Sequence, residues 1–273
     1  MPSFMHGQIE VIPMLDGPLY TTLEKIPDPA HRAEAEELVA KAGRHVLALP
    51  VYAFLLKWAD KRVLIDTGSG KLGYDTLGRL PERLADAGVS SEDVTDILMT
   101  HLHRDHYGGL IRGDAPAFPN ANLVIHKPEA NFWLSSDLSA LPERAQRMAD
   151  EARRAVAAYG DRLRLVGTED VFSGVRVRPA PGHTPGHCGW QVNSEGKMLL
   201  AWGDVIHVAA FHLAAPHIAM EYDLDPRTAL ESRLATLQWV AENNVIVAGA
   251  HLPEPGVWKV VKAGTGYELR SIE

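Results

Sequence analysis

Residues 100 to 110 read THLHRDHYGGL and place His101, His103, Asp105 and His106 within six positions, directly after the apolar run DILM at 96–99. In extended backbone, residues two apart send their side chains to the same side, so His101 and His103 can reach one ion. Asp105 and His106 follow once the chain turns, and Gly108-Gly109 permits a close backbone approach behind them. Four coordinating side chains in one turn are more than a single ion needs if it also takes ligands from elsewhere. Two metal ions sharing the turn would use them all.

The remaining ligands can be found at other strand ends. PAPGHTPGH at 179–187 closes a β-like run and presents His183 in a turn punctuated by glycine and proline. LLAWGD at 199–204 ends on Asp204, and VIVAGAH at 245–251 ends on His251. Cys188 is the only cysteine, so a metal here is held by nitrogen and oxygen, and no disulfide framework exists. Such a donor set takes two divalent ions, with Zn first and Mn, Fe or Co as alternatives. Cys188 itself reads as a small buried residue without a base to activate it.

These residues require strands that end at a common edge. Apolar β-like runs lie at 9–14, 46–58, 62–65, 122–126, 175–179, 197–202, 245–249, 256–261 and 266–270. Between them, 30–42 reads as an exposed helix. The stretch 143–159 carries an apolar stripe of Ala145, Met148, Ala149, Ala152, Val156 and Tyr159, read as core packing. A further helix over 225–242 opens with Asp225 as N-cap and Pro226 at N1. Strands in runs separated by helices, without strict βα alternation, favour stacked sheets flanked by helices.

Composition narrows the function classes. With 273 residues, 46% hydrophobic content and no apolar run of membrane-spanning length, the expectation is a globular chain that does not cross a membrane. The N-terminal MPSFMHGQIE has neither a basic n-region nor an apolar h-region, so the expected location is cytoplasmic. A net charge of −8 with dispersed Lys and Arg lacks the footprint of a nucleic-acid binder. The thirteen histidines are clustered, at 101–106, 183–187, 207–217 and 251, which suggests one site assembled from several loops.

The order His101, His103, Asp105, His106, His183, Asp204, His251 resembles the metallo-β-lactamase superfamily over roughly residues 45 to 270. The resemblance implies a four-layer αββα sandwich, two mixed β-sheets flanked by helices, in a single domain over 1–273, with 1–45 as an N-terminal extension and helix packing on it. It also implies that His101, His103 and His183 hold one metal, that Asp105, His106 and His251 hold the other, and that Asp204 bridges them. IDTG at 65–68 looks like the segment in which Asp66 orients a ligand histidine from outside the coordination sphere.

FPNANLVIHKPEANFWLSS at 118–136, GHTPGHCGW, GDVIHVAAF and the tail AGAHLPEPGVWKVVKAGTGYEL are similar to the methyl parathion hydrolase-like and lactonase-like branch. By that likeness Trp133 contacts the leaving group, and His207 stands where acyl-homoserine-lactone lactonases carry Tyr. A homodimer is implied as well. Phe132, Trp133 and Phe211 are the aromatic candidates for pocket walls, with His207 beside them. His187, His212 and His217 read as hydrogen-bonded structural residues.

The implied chemistry is hydrolysis. Two divalent ions against Asp105, Asp204 and a bridging hydroxide leave about one positive charge to meet a developing oxyanion. The hydroxide is the nucleophile, and Asp105 is the carboxylate placed to shuttle a proton. With Arg104 the only basic residue beside a ligand in the sequence, a small, neutral, apolar ester or lactone is the expected substrate, with phosphotriesters of the methyl parathion type accepted too. The alternatives are a quorum-quenching N-acyl-homoserine lactone lactonase, a minor β-lactamase activity, or a metal-binding protein without turnover.

Overall fold

A computed structural model describes residues 3–43, 46–72, 75–135, 137–141 and 143–272. Strands β1 (Phe4–His6), β2 (Ile9–Thr21), β3 (Leu47–Trp58), β4 (Lys61–Ile65) and β5 (Asp96–Leu98) run in that order across one sheet. A short ribbon of β6 (Ile111–Arg112) and β7 (Ala115–Pro116) stands apart, and β8 (Asn122–His126) and β9 (Leu163–Val166) complete the first sheet. The second sheet follows chain order throughout: β10 (Asp170–Phe172), β11 (Val175–Pro179), β12 (Cys188–Ser194), β13 (Lys197–Ala201), β14 (Ile246–Ala248), β15 (Val257–Ala263) and β16 (Gly266–Arg270). Both sheets are mixed, with parallel pairings at β4/β5, β5/β8, β8/β9 and β13/β14.

The helices are α1 (Pro29–Lys41), α2 (Leu80–Asp86), α3 (Arg104–Tyr107), α4 (Lys127–Ala130), α5 (Glu143–Ala157), α6 (Ala209–His212) and α7 (Pro226–Glu242). Period-2 alternation sorts the strand residues into layers. In β3, Ala53 and Leu55 pack outward against Leu80 and Leu84 of α2 and Ala149 and Ala152 of α5, whereas Phe54 and Leu56 face the second sheet. On β13, Leu199 and Ala201 meet the first sheet while Leu200 packs with Leu237 and Val240 of α7. The order is helix, sheet, sheet, helix: the expected four-layer αββα arrangement.

Short strands β1, β9 and β10 fall outside the expected runs, and three larger elements differ from expectation. β2 continues to Thr21 rather than stopping near residue 14, because β3 pairs along its whole length and a register shift between Leu15 and Gly17 absorbs the irregularity. The inward-turned Asp16 there accepts from the backbone N–H groups of Ser69, Gly78 and Leu80. β12, whose CGWQVNS has no clear apolar run, is a central strand that buries Cys188, Trp190 and Val192 between the sheets. α1 is exposed over most of its surface but buries Ala35 and Val39, one turn apart, against Phe211 and Ile218. Its N-cap Asp28 accepts from Ala30 N, and Asp225 caps α7 through Thr228 N at 3.1 Å. No helix among the described residues is long and apolar enough to cross a membrane.

Candidate dinuclear metal centre

The site forms where strands of both sheets end. Beyond β5 the chain stays extended through His101 and His103, with Leu102 turned into the core, and His103 is the N-cap residue of α3. That one-turn helix carries Asp105 and His106. Gly108 and Gly109 then pass so close to the 67–69 loop that a Cβ on either would lie 2.1 Å from a backbone oxygen. In the second sheet, His183 follows β11, Asp204 follows β13 and His251 follows β14.

The seven candidate ligands converge as two groups. His101, His103 and His183 form one, and Asp105, His106, Asp204 and His251 the other, with potential ligand atoms in each group within 4.8 Å of one another. Asp204 serves both. Its Oδ2 lies 3.7 Å from His101 Nε2, 3.3 Å from His183 Nε2 and 3.3 Å from His251 Nε2, while Oδ1 lies 3.1 Å from His106 Nε2. Asp105 Oδ2 is 3.5 Å from His106 Nε2 and 3.4 Å from His251 Nε2. Ligands of a tetrahedral ion at about 2.0–2.1 Å sit roughly 3.3 Å apart, so these spacings suit one cation within each group.

The donor set independently calls for cations. His101 Nε2, His106 Nε2 and Asp204 Oδ1 are buried without a hydrogen-bond partner, a costly condition for polar atoms. His103 Nδ1 faces His183 Nε2 at 2.9 Å, and two imidazole nitrogens at that distance need a proton or a cation between them. Burial and neighbouring histidines hold His101 and His103 well below the usual imidazole range, so both are neutral donors. Burial also acts on His106 and His251, but Asp204 and Asp105 outweigh it and raise both. Burial opposes ionisation of Asp204, and His106 and His251 overcome it to hold the carboxyl well below its ordinary value. Positive charge is thus demanded where the two carboxylates meet.

Outer contacts fix four of the five imidazoles, those of His101, His106, His183 and His251. His106 Nδ1 donates to Asp66 Oδ2 at 2.8 Å, and Asp66 also accepts from Thr100 N and Oγ1. Thr100 Oγ1 in turn accepts from His101 Nδ1 at 3.1 Å. His183 Nδ1 donates to Asp223 Oδ1 at 3.0 Å, whose other oxygen pairs with the buried Arg233, and His251 Nδ1 donates to Pro50 O. Each such contact selects the tautomer that turns the other nitrogen inward. Asp223, Thr100 and Glu129 are absent from the sequence-based list. Asp223 in particular carries no signal in YDLDP beyond the neighbouring cap.

A cavity of about 410 Å³ opens on the centre, walled by Trp133, Met148, Ala145, Leu141, Tyr222 and Leu224 among others. Trp133 is both core and wall, since it is buried, donates from Nε1 to Glu129 and stands edge-on to His103. The α5 stripe is also divided, with Ala149, Ala152 and Val156 in the core and Ala145 and Met148 on the cavity. His207 lines the cavity with Nε2 at 3.4 Å from Asp204 Oδ2, and neither ring nitrogen has a hydrogen-bond partner. Phe132 and Phe211 are placed elsewhere. Phe132 is half-buried beside the first-sheet core, stacked edge-on against Trp133, and Phe211 is fully buried among Ile26, Val39 and Ile218, because α6 turns that face toward α1. Arg104 is held by Glu151 through two bonds of 2.6 Å. His187 and His212 are structural, bonded to Ala180 O and Ile218 O, and His217 pairs with Glu34 at the surface.

Known proteins resemble this chain in sequence and in fold. The family model of the metallo-beta-lactamase superfamily matches residues 46–251. An N-acyl homoserine lactonase of a Bacillus species is 26% identical over 176 residues, which span 57% of this chain and 64%, under two thirds, of that enzyme. AidC, a dizinc quorum-quenching lactonase solved in complex with a product, an N-acyl-L-homoserine, is 27% identical with a TM-score of 0.92, covering 100% of this chain and 97% of that one. The hydrolase AbOPH of the beta lactamase superfamily is 29% identical with a TM-score of 0.93, covering 99% and 97%.

Proposed function

The chain belongs to the metallo-beta-lactamase superfamily, and on that premise we propose that it is a metal-dependent hydrolase that opens neutral lactones, N-acyl homoserine lactones foremost. The observation that carries this reading is the cavity. Its wall is largely apolar, and the charged side chains on it other than the candidate ligands are paired: Arg104 with Glu151, and Lys25 with Glu221 at 2.6 Å. Away from the candidate ligands a charged substrate would find every charged side chain of the wall already paired, whereas an apolar acyl group would exclude water from Trp133 and Met148. The lactonase activity of similar proteins supports the same class.

His101, His103, His183 and Asp204 would hold one divalent ion and Asp105, His106, His251 and Asp204 the other, in keeping with zinc in AidC. When bound, the ions supply Lewis acidity toward the carbonyl oxygen and make a water acidic near neutral pH. The residues do the rest. Asp204 is held between the two groups at the end of β13, with its backbone N–H donating to His187. Both carboxylates line the cavity, and Asp105, whose side chain is 15% exposed against 4% for Asp204, is the more open of the two. As the water oxygen bonds to the carbonyl carbon and the ring C–O bond breaks, Asp105, a carboxylate at the outset, would take the proton that the water sheds and pass it to the departing ring oxygen, leaving a hydroxy acid. His207 lies on the same wall and would be available to donate to a substrate oxygen.

The test is kcat/KM on one metal-replete preparation for an acyl-homoserine lactone, an aromatic lactone and a dimethyl aryl phosphotriester, with Asp204→Ala as control. A lactone should lead, and the control should be inactive. A leading phosphotriester would overturn the substrate class, and a protein that holds metal yet turns over none of the three would be a binding protein instead.

A further inference from the structure

Glu129 lies on α4 with its side chain fully buried, and no catalytic role needs it. Each carboxylate oxygen accepts twice. Oε1 takes the backbone N–H of Leu102 and the indole N–H of Trp133, both at 2.8 Å, and Oε2 takes Thr184 Oγ1 at 2.6 Å and the backbone N–H of Gly186 at 3.1 Å. Leu102 stands between His101 and His103, Thr184 and Gly186 follow His183, and Trp133 is the cavity wall beside His103.

The two loops come from different sheets, one after β5 and the other between β11 and β12, so no strand ladder joins them, and the backbone bond at their base, Cys188 N–H to Thr100 O at 3.1 Å, leaves the segments beyond it to be held by side chains. Gly186 is packed so tightly on α4 that a Cβ would lie 1.9 Å from Glu129 N, and His126 Nδ1 donates to Gly186 O at 2.9 Å. A buried carboxylate is tolerated only while its acceptor sites are filled. Displacing either loop would strip donors from the charge, which couples the loops to each other. Asp66 and Asp223 bond ligand side chains directly; Glu129 bonds none, and joins the backbones that carry one whole group.

We propose that Glu129 is a positioning residue that sets the spacing of the His101, His103 and His183 group. It thereby sets the affinity of that metal position and the placement of Trp133, and it leaves the Asp105, His106 and His251 position unaffected. The inference rests on the two-metal reading above.

Glu129→Gln keeps the shape but offers one oxygen and one NH2, so in either orientation the backbone N–H of Leu102 or of Gly186 faces an amide nitrogen. Zinc affinity is measured by competition with a chromophoric chelator in two backgrounds. In His251→Ala, which leaves the group under test, Glu129→Gln should weaken zinc binding by about 10- to 100-fold. In His103→Ala, which leaves the other position, affinity should stay within about twofold, because Glu129 bonds neither the backbone nor the side chains of Asp105, His106 and His251. Thr184→Val removes one donor of the four and should give a smaller loss with the same selectivity; it carries the test if Glu129→Gln does not fold. Equal losses in both backgrounds, or none in either, overturn the proposal. Failure of the unmodified protein to bind two zinc ions would overturn the metal reading instead.

Discussion

The backbone N–H of Asp204 donates to Nε2 of His187 at 2.9 Å, and His187 Nδ1 donates onward to Ala180 O at 2.8 Å. The carboxylate shared by the two groups is thereby tied to the loop that bears His183. Burial, reinforced by His183, pushes His187 down to about 3, so it is neutral at any working pH and its Nε2 is an acceptor. An ordinary imidazole titrates near 6.5. Above that pH His187 is neutral in both folded and unfolded chains. As pH falls from 6.5 toward 3, only the unfolded chain takes up the proton, and stability is lost by up to about 1.4 kcal/mol per pH unit from this group. Chemical denaturation at pH 7, 6 and 5 should show this slope, and His187→Gln, which keeps an acceptor but cannot titrate, should reduce it.

Chelation should destabilise the protein well beyond the loss of activity. The unpartnered His101 Nε2, His106 Nε2 and Asp204 Oδ1 would be satisfied by a bound cation, which only the folded chain can meet with the assembled ligand set. At a thousandfold excess over Kd this linkage is about 4 kcal/mol per site, or roughly ten degrees in Tm for a chain of this size. A melting curve that does not move on chelation, and returns no gain with added zinc, would contradict the assignment.

Trp133 joins the cavity to Glu129 through its indole N–H. Trp133→Phe retains the wall but removes a hydrogen bond to a buried carboxylate, and should cost about 1.5–3 kcal/mol of stability with at least a severalfold rise in KM. Trp133→Ala should cost about 3–5 kcal/mol through the cavity it leaves. Steady-state kinetics and thermal melts on the same preparations separate the two effects.

Phe211 offers the converse case. It lies in the α1 and α6 core rather than on the cavity. Phe211→Ala should therefore lower stability by about 3–5 kcal/mol while KM of the folded enzyme stays near that of the parent. A large KM change at unchanged stability would return Phe211 to the substrate wall.

Residues of the candidate centre could be read from the chain in order because each ends or follows a strand. An apolar run followed by His or Asp is a local signal, and the HxHxDH turn holds four of the seven within one loop. The layered fold was legible for the same reason, since a nearly continuous apolar run such as 46–58 announces a strand buried on both faces. α7 could be placed to the residue from Asp225 and Pro226, whose capping chemistry is local.

What the chain could not reveal by itself is which side chains meet across it. β12 has a polar-looking sequence and becomes central only because β11 and β13 flank it. Phe132 and Phe211 carry the same aromatic signal as Trp133, and only packing decides that Trp133 reaches the cavity while Phe211 faces α1. Asp223 acquires meaning from His183 and Arg233, His187 from Asp204, and Glu129 from loops belonging to both sheets. Types and periodicities along a chain determine strands, caps and ligand-bearing turns, because those depend on neighbours in sequence. The partners that orient the ligands are set by how two sheets stack, and that exists only in the tertiary structure.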